Sequence, residues 1–191
     1  MNNNQASTQQ KLLIVGNGMA AGRMVDELIA RDPHRFSITV IGDEPHGSYN
    51  RIMLSPVLSG ESTALSIIQK PAAWYAENGM RFLAGVKVVR INRAQKTVDC
   101  DNGEQVEYDH LIMATGSRPA RIPAKNQDLT GVMAFRTLDD VDTILALGET
   151  AKHAIVVGGG LLGLEAAYGM AVRGIDVTLV HRSGWLLNRQ L

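Results

Sequence analysis

The chain has 191 residues, 45% of them hydrophobic and 20% charged, which suits one or two ordinary globular domains. Nineteen basic residues balance nineteen acidic ones without a basic cluster, so the electrostatic footprint of a nucleic-acid or anionic-membrane binder is missing. A single cysteine, Cys100, excludes an internal disulfide and a thiolate set for an iron–sulfur cluster or structural zinc within these residues.

Residues 1–10 are polar, with neither a charged start nor an apolar core, and read as a disordered lead-in rather than a signal peptide. No apolar run reaches membrane-spanning length, and a cytoplasmic protein is expected. The strand-like run Lys11-Leu12-Leu13-Ile14-Val15 leads into Gly16-Asn17-Gly18-Met19-Ala20-Ala21, and Met19 to Arg31 reads as a helix with apolar positions Met24, Val25, Leu28 and Ile29, stopped by Pro33. Ser37-Ile38-Thr39-Val40-Ile41 is the next strand. It ends in Gly42-Asp43-Glu44-Pro45, which puts the Glu44 carboxylate where a dinucleotide site wants an acceptor for ribose hydroxyls, although acidic residues are also common in solvated loops.

Short alternating runs over 86–91, 96–100 and 105–108 predict a three-stranded antiparallel meander, and Leu111-Ile112-Met113-Ala114 a return strand running into Thr115-Gly116-Ser117-Arg118-Pro119. A Pro-containing connection follows, then a helix from about Arg136 through Leu147 with Asp139 in its first turn. Cys100, at the end of the middle meander strand, reads as a structural thiol, because nothing near it in sequence would lower its pKa.

A second strand-to-helix turn, Gly158-Gly159-Gly160-Leu161-Leu162-Gly163, follows Ala154-Ile155-Val156-Val157, and Asp176-Val177-Thr178-Leu179-Val180 is the strand after its helix. In such a turn the first glycine permits the tight bend, the second lets the backbone approach a pyrophosphate, and the third lets helix and strand pack closely; Ala21 is a tolerated variant of the third. The helix start then holds phosphate through exposed amides and its dipole. One glycine-rich turn can serve backbone geometry alone. Two in strand-turn-helix context point to two bound dinucleotides.

The first turn, Glu44, residues 114–119 and Gly158 to Ala167 with Glu165 together resemble the two-dinucleotide FAD and NAD(P)H oxidoreductases of the pyridine nucleotide-disulfide reductase fold. Within that family, Val15-Gly16-Asn17-Gly18-Met19, Tyr49 to Glu61 and Gly158 to Ala167 are most similar to the N-terminal flavin region of the large subunit of assimilatory NAD(P)H nitrite reductases. The resemblance implies an α/β fold of two Rossmann-like units, an FAD domain over 11–118 that carries the meander, a crossover over 119–150, and a truncated NAD(P)H unit over 151–191. The chain is thus expected to be a piece of a longer parent, inactive alone.

The resemblance also implies roles. Gly16, Gly18 and Ala21 would lie on the FAD pyrophosphate, Glu44 on the adenosine ribose, Val88 beside the adenine through its backbone, and Arg51 and Arg118 facing phosphate or flavin. Met19, Asn50 and Ala114 join the cofactor-binding set, and the chain would pass the flavin at Thr115-Gly116. The nicotinamide nucleotide would lie on Gly158, Gly160, Leu162 and Gly163, with Glu165 at the entrance to the flavin face. No catalytic acid, base or nucleophile is required.

After the second strand of the second unit stand His181 and Arg182, with no carboxylate for NADH ribose hydroxyls. Arg182, with Arg189 in reach if the next turn folds back, can pair with the extra phosphate of NADPH, or is a solvated surface charge, and His181 can cover the adenine edge. Fold analogy pulls toward NADH. Pro56 stands where related ferredoxin and rubredoxin reductases carry a lysine, and the redox cysteine pair of disulfide reductases is missing. The implied electron acceptor is a downstream siroheme and iron–sulfur module; the alternatives are a separate small electron-transfer protein and a non-enzymatic redox sensor.

Overall fold

The computed structural model describes residues 9–188. The strands and helices run β1 (Gln10–Val15), α1 (Met19–Arg31), β2 (Phe36–Gly42), β3 (Ser48–Tyr49), α2 (Leu54–Ser59), β4 (Ile68–Lys70), α3 (Ala72–Glu77), β5 (Arg81–Ala84) and β6 (Val88–Asn92). They continue through β7 (Thr97–Cys100), β8 (Gln105–Glu107), β9 (His110–Met113), α4 (Leu138–Gly148), β10 (His153–Val157), α5 (Leu161–Ala171) and β11 (Asp176–Val180). No described helix is long and apolar enough to cross a membrane. By contact, residues up to Tyr49 with Ile68–Ser117 make one unit, and Asn50–Ile67 with the residues from Arg118 onward make a second. Residues 50–67, which lie inside the expected 11–118 stretch, therefore group with the second unit.

In the first unit a parallel sheet of order β5-β2-β1-β9 has β1 inside it, with Leu13 opposite Thr39 of β2 and Leu111 of β9. Because β1 is covered on both faces it is a continuous apolar run. Leu12 and Ile14 pack with Ala21 and Val25 of α1, Ile38 and Val40 of β2, and Tyr75 of α3. Leu13 and Val15 face the other way, onto Val98, Cys100, Val106 and Tyr108 of the meander. Each such side chain contributes about 1.5–3 kcal/mol by leaving water, so helices and meander are held on opposite faces of one sheet. The meander is antiparallel, in order β6-β7-β8, with Val88 paired to Cys100 and Val98 to Val106.

The lead-in expectation for 1–10 falls mostly outside the described residues, and β1 already begins at Gln10. The expected first helix coincides with α1, and the meander strands agree to within two residues at their ends.

In the second unit β10 and β11 pair in parallel, Ile155 opposite Thr178. Thr137 caps α4: its hydroxyl accepts from Asp140 N at 3.1 Å, while Asp140 Oδ2 accepts from Thr137 N at 2.9 Å and Arg136 N at 2.8 Å. That reciprocal box closes the helix start through Asp140, and Asp139 stands in the first turn as expected. Leu58 of α2 packs against Gly169 of α5, where any Cβ would lie 2.8 Å from Leu58 Cγ. Arg173 donates from Nε to the Leu58 carbonyl and from its guanidinium to the Val57 carbonyl, satisfying the last carbonyls of α2.

Candidate dinucleotide-binding turns

The first turn lies at the carboxyl end of β1, beside the point where β9 leaves the sheet on the other side from β2. Open α/β sheets bind their ligands in such crevices. Gly16 has φ +105°, and a Cβ there would lie 2.2 Å from Ala114 O and 2.9 Å from Thr115 N. Its amide donates to Ile41 O at 2.8 Å, and Ala114 N donates to Val15 O at 2.7 Å. The glycine is therefore demanded by the close passage of the Ala114-Thr115 backbone. Gly18 differs, since a Cβ there meets nothing within 4 Å. It precedes α1 without a side-chain cap, and the first intrahelical bond is Gly22 N to Gly18 O, so the earlier amides have no intrahelical acceptor. No acidic residue occupies the first turn of α1.

Met19 is exposed at the helix start, whereas Ala21 is buried in the core, so Ala21 can offer a ligand only its backbone amide. Glu44 lies two residues beyond β2 and accepts a hydrogen bond from the Tyr49 hydroxyl at 2.6 Å. Thr115 and Gly116 are exposed past the end of β9, and half-buried Val88 opens β6 against the meander core. Asn50, Arg51 and Arg118 group by contact with the second unit. There Asn50 Oδ1 accepts from Ile52 N at 3.2 Å, and Arg51 donates to Arg136 O at 2.7 Å. Arg118 is exposed.

Asn17 was not singled out by motif reading. Its Oδ1 accepts from the Tyr75 hydroxyl at 2.6 Å, its Nδ2 is buried without a partner, and its Cβ leaves room for no side chain on Gly42, where a Cβ would lie 2.9 Å away. Burial pushes the Tyr75 phenol up, opposed by its hydrogen bond to Asn17. Only the spacing between the first two glycines singles out position 17, and nothing in sequence ties it to Tyr75. Cys100 is buried; that burial, and then the carboxylates of Glu104, Asp101 and Asp99, push its thiol up.

The second turn repeats the first. Gly158 has φ +123° and donates to Val180 O at 2.9 Å. A Cβ on Gly160 meets nothing within 4 Å, and Leu164 N to Gly160 O is the first bond of α5, which has no side-chain cap and no acidic residue in its first turn. A Cβ on Gly163 would lie 1.9 Å from Gly158 O, so this position is fixed by helix-to-turn packing. Leu162 is exposed, Glu165 accepts from Ser55 Oγ at 2.5 Å, Gly159 N donates to His181 Nδ1 at 3.0 Å, and Arg182 is exposed. Arg189 lies outside the described residues.

Each turn thus combines a tight bend at the first glycine, open volume over the second, and uncapped amides at the start of a helix of eleven or thirteen residues. This is a cradle for a phosphate-bearing ligand. Two cavities, of about 270 and 360 Å³, lie away from both turns, among Leu58, Met170 and Ile175 and among Lys11, Thr39 and Arg81 respectively.

Residues 10–191 match the pyridine nucleotide-disulphide oxidoreductases. The chain belongs to that family. It is 43% identical to the NAD(P)H nitrite reductase of Bacillus subtilis (strain 168), over 96% of this chain and 23% of that protein. It is 39% identical to the assimilatory nitrate reductase electron transfer subunit of the same strain, over 96% of this chain and 24% of that one. Among solved structures, the covalent putidaredoxin reductase–putidaredoxin complex matches 94% of this chain and 44% of its own with a TM-score of 0.83 and 30% identity. The chain spans about a quarter of the length of the curated relatives it matches. The α/β fold with a parallel Rossmann-like sheet, and the expected resemblance, are those of this family.

Proposed function

We propose that the first turn binds FAD and the second NAD(P)H, and that the protein moves electrons from the nicotinamide nucleotide through the flavin to an acceptor used in nitrite reduction. The observation that carries this reading is the repeated open volume over Gly18 and Gly160, each above uncapped helix amides. Bound flavin would supply hydride acceptance and single-electron release. The chain's residues would supply placement. The starts of α1 and α5 hold pyrophosphates, Glu44 accepts from ribose hydroxyls while Tyr49 fixes its orientation, and Glu165, held by Ser55, lies one turn into the nucleotide-facing helix. The rest of the expected cofactor set keeps its assigned roles: Met19, Asn50, Ala114, Thr115, Gly116 and Val88 around the first cofactor, Arg51 and Arg118 toward phosphate or flavin, and Leu162 and Gly163 on the second.

The domain division into 11–118, 119–150 and 151–191 and a cytoplasmic location belong to the same proposal. The relatives named as a nitrite reductase and an assimilatory nitrate reductase electron transfer subunit fit an acceptor module used in nitrite reduction, which the resemblance expects to carry siroheme and an iron–sulfur cluster, and the reductase–putidaredoxin complex supports a second reading with a separate protein acceptor. Exposed Arg182, with no carboxylate at His181, supports acceptance of NADPH. Anaerobic mixing of the FAD-loaded protein with each nucleotide tests the core reading. Bleaching of the flavin band is expected, and a protein that binds no flavin, or whose flavin neither nucleotide reduces, contradicts it. A fall in kcat/KM for NADPH relative to that for NADH on Arg182→Ala tests the phosphate contact, and an unchanged ratio removes it.

A further inference from the structure

The two turns share their first hydrogen bond and part at the next residue. Gly16 N and Gly158 N each donate to the neighbouring strand, at Ile41 O and Val180 O. In the first turn the following residue, Asn17, turns its side chain to Tyr75. In the second, the Gly159 backbone is held on both sides: its N–H donates to His181 Nδ1 at 3.0 Å, and its carbonyl accepts from Leu187 N at 2.8 Å. The fit leaves no slack, because a Cβ on Gly159 would lie 2.7 Å from His181 Cγ and 2.6 Å from Leu186 Cδ2.

We propose that His181 is a positioning residue for the nicotinamide nucleotide, its ring clamping Gly159 so that the amides at the start of α5 stay aimed at the phosphates. The inference rests on the reading that the second turn holds that nucleotide. A ring nitrogen that accepts a hydrogen bond carries no proton, so the neutral ring's proton is on Nε2. That atom is buried without a partner, so the Gly159 contact at Nδ1 is the ring's hydrogen bond. A doubly protonated ring would set a second N–H against the Gly159 amide and abolish the bond. His181 thus acts on the ligand through the backbone, a role different from reading the ribose or covering the adenine.

The test exploits the position of the accepting atom. Asparagine places a carbonyl oxygen close to where Nδ1 stands, whereas glutamine places it near Nε2. NAD⁺ and NADP⁺ are titrated calorimetrically into the wild-type protein and into His181→Ala, His181→Asn and His181→Gln. Ala and Gln should bind about tenfold more weakly than wild type and Asn within about threefold, the scale of one lost hydrogen bond. Should His181→Ala unfold, the Asn and Gln pair still decides, since both carry the same amide group and differ in where its acceptor lies. Equal binding by Ala and wild type, or equal losses in Asn and Gln, would overturn the proposal. If the wild type binds neither nucleotide, the reading of the second turn fails instead, and the proposal with it.

Discussion

Two glycines three residues apart, Gly160 and Gly163, should respond to alanine in opposite ways. At Gly163 the added Cβ would lie 1.9 Å from Gly158 O, 3.0 Å from Gly158 C and 3.7 Å from Val156 Cγ1. Both near atoms are backbone, so no rotamer change relieves the clash, and the start of α5 has to move by about 1 Å. Overpacking of this kind costs about 1–3 kcal/mol, and the better helix propensity of alanine returns about 1 kcal/mol. Because the clash is with backbone, the cost lies at the upper end of that range, so a net loss of about 2 kcal/mol is expected, or a fall in Tm of roughly 4–8 °C. At Gly160 the backbone is extended with φ −84°, which alanine adopts freely, and its Cβ meets no atom within 4 Å. Alanine is a poorer N-cap than glycine by about 0.5–1 kcal/mol, and lower unfolded-state entropy offsets a similar amount, so stability should be unchanged. The methyl would stand over the uncapped amides and weaken nicotinamide nucleotide binding by tenfold or more, about 1.4 kcal/mol. Thermal unfolding and calorimetric titration of both variants make the comparison. A Gly160→Ala variant that binds like wild type, or that is as destabilised as Gly163→Ala, would refute the reasoning.

Glu44→Ala should weaken FAD binding by about 1.5–3 kcal/mol, the scale for a charged acceptor, and Tyr49→Phe, which removes one hydrogen bond from the carboxylate, by about 1 kcal/mol or less; equal flavin dissociation constants in wild type and Glu44→Ala would remove the ribose assignment. Ser55→Ala releases Glu165 from its 2.5 Å hydrogen bond and should slow nucleotide-dependent flavin reduction about tenfold, with Ser55→Thr restoring it, as stopped-flow bleaching would record. Cys100 should resist thiol reagents in the folded protein at neutral pH and react fully after denaturation, because burial and three carboxylates hold it protonated. Rapid native-state labelling would contradict that.

The residues legible in sequence are those whose chemistry is local. Gly16 and Gly158 announce themselves because a positive φ beside a strand demands glycine, and α1 because its apolar spacing runs from Met24 to Ile29 up to Pro33. The meander was legible from alternation, since one face of β7 packs on the sheet through Val98 and Cys100. β5 carries four residues with neither alternation nor a long apolar run, and only its pairing with β2 makes it a strand. The same holds for the α2 segment: its ties to Arg173, Gly169 and Glu165 span more than a hundred residues of sequence, which no spacing rule reaches. The site divides the same way. Gly18 and Gly160 follow from a motif, whereas the Asn17–Tyr75, Tyr49–Glu44 and His181–Gly159 bonds are products of packing.

The central claim, one dinucleotide on each turn, is tested most directly by titrating FAD and NADP⁺ separately into the full-length protein and into Gly18→Ala and Gly160→Ala. Gly18→Ala should lose FAD affinity and keep that for the nicotinamide nucleotide, and Gly160→Ala should do the reverse. Loss of the same ligand in both variants, or of neither, would contradict the account.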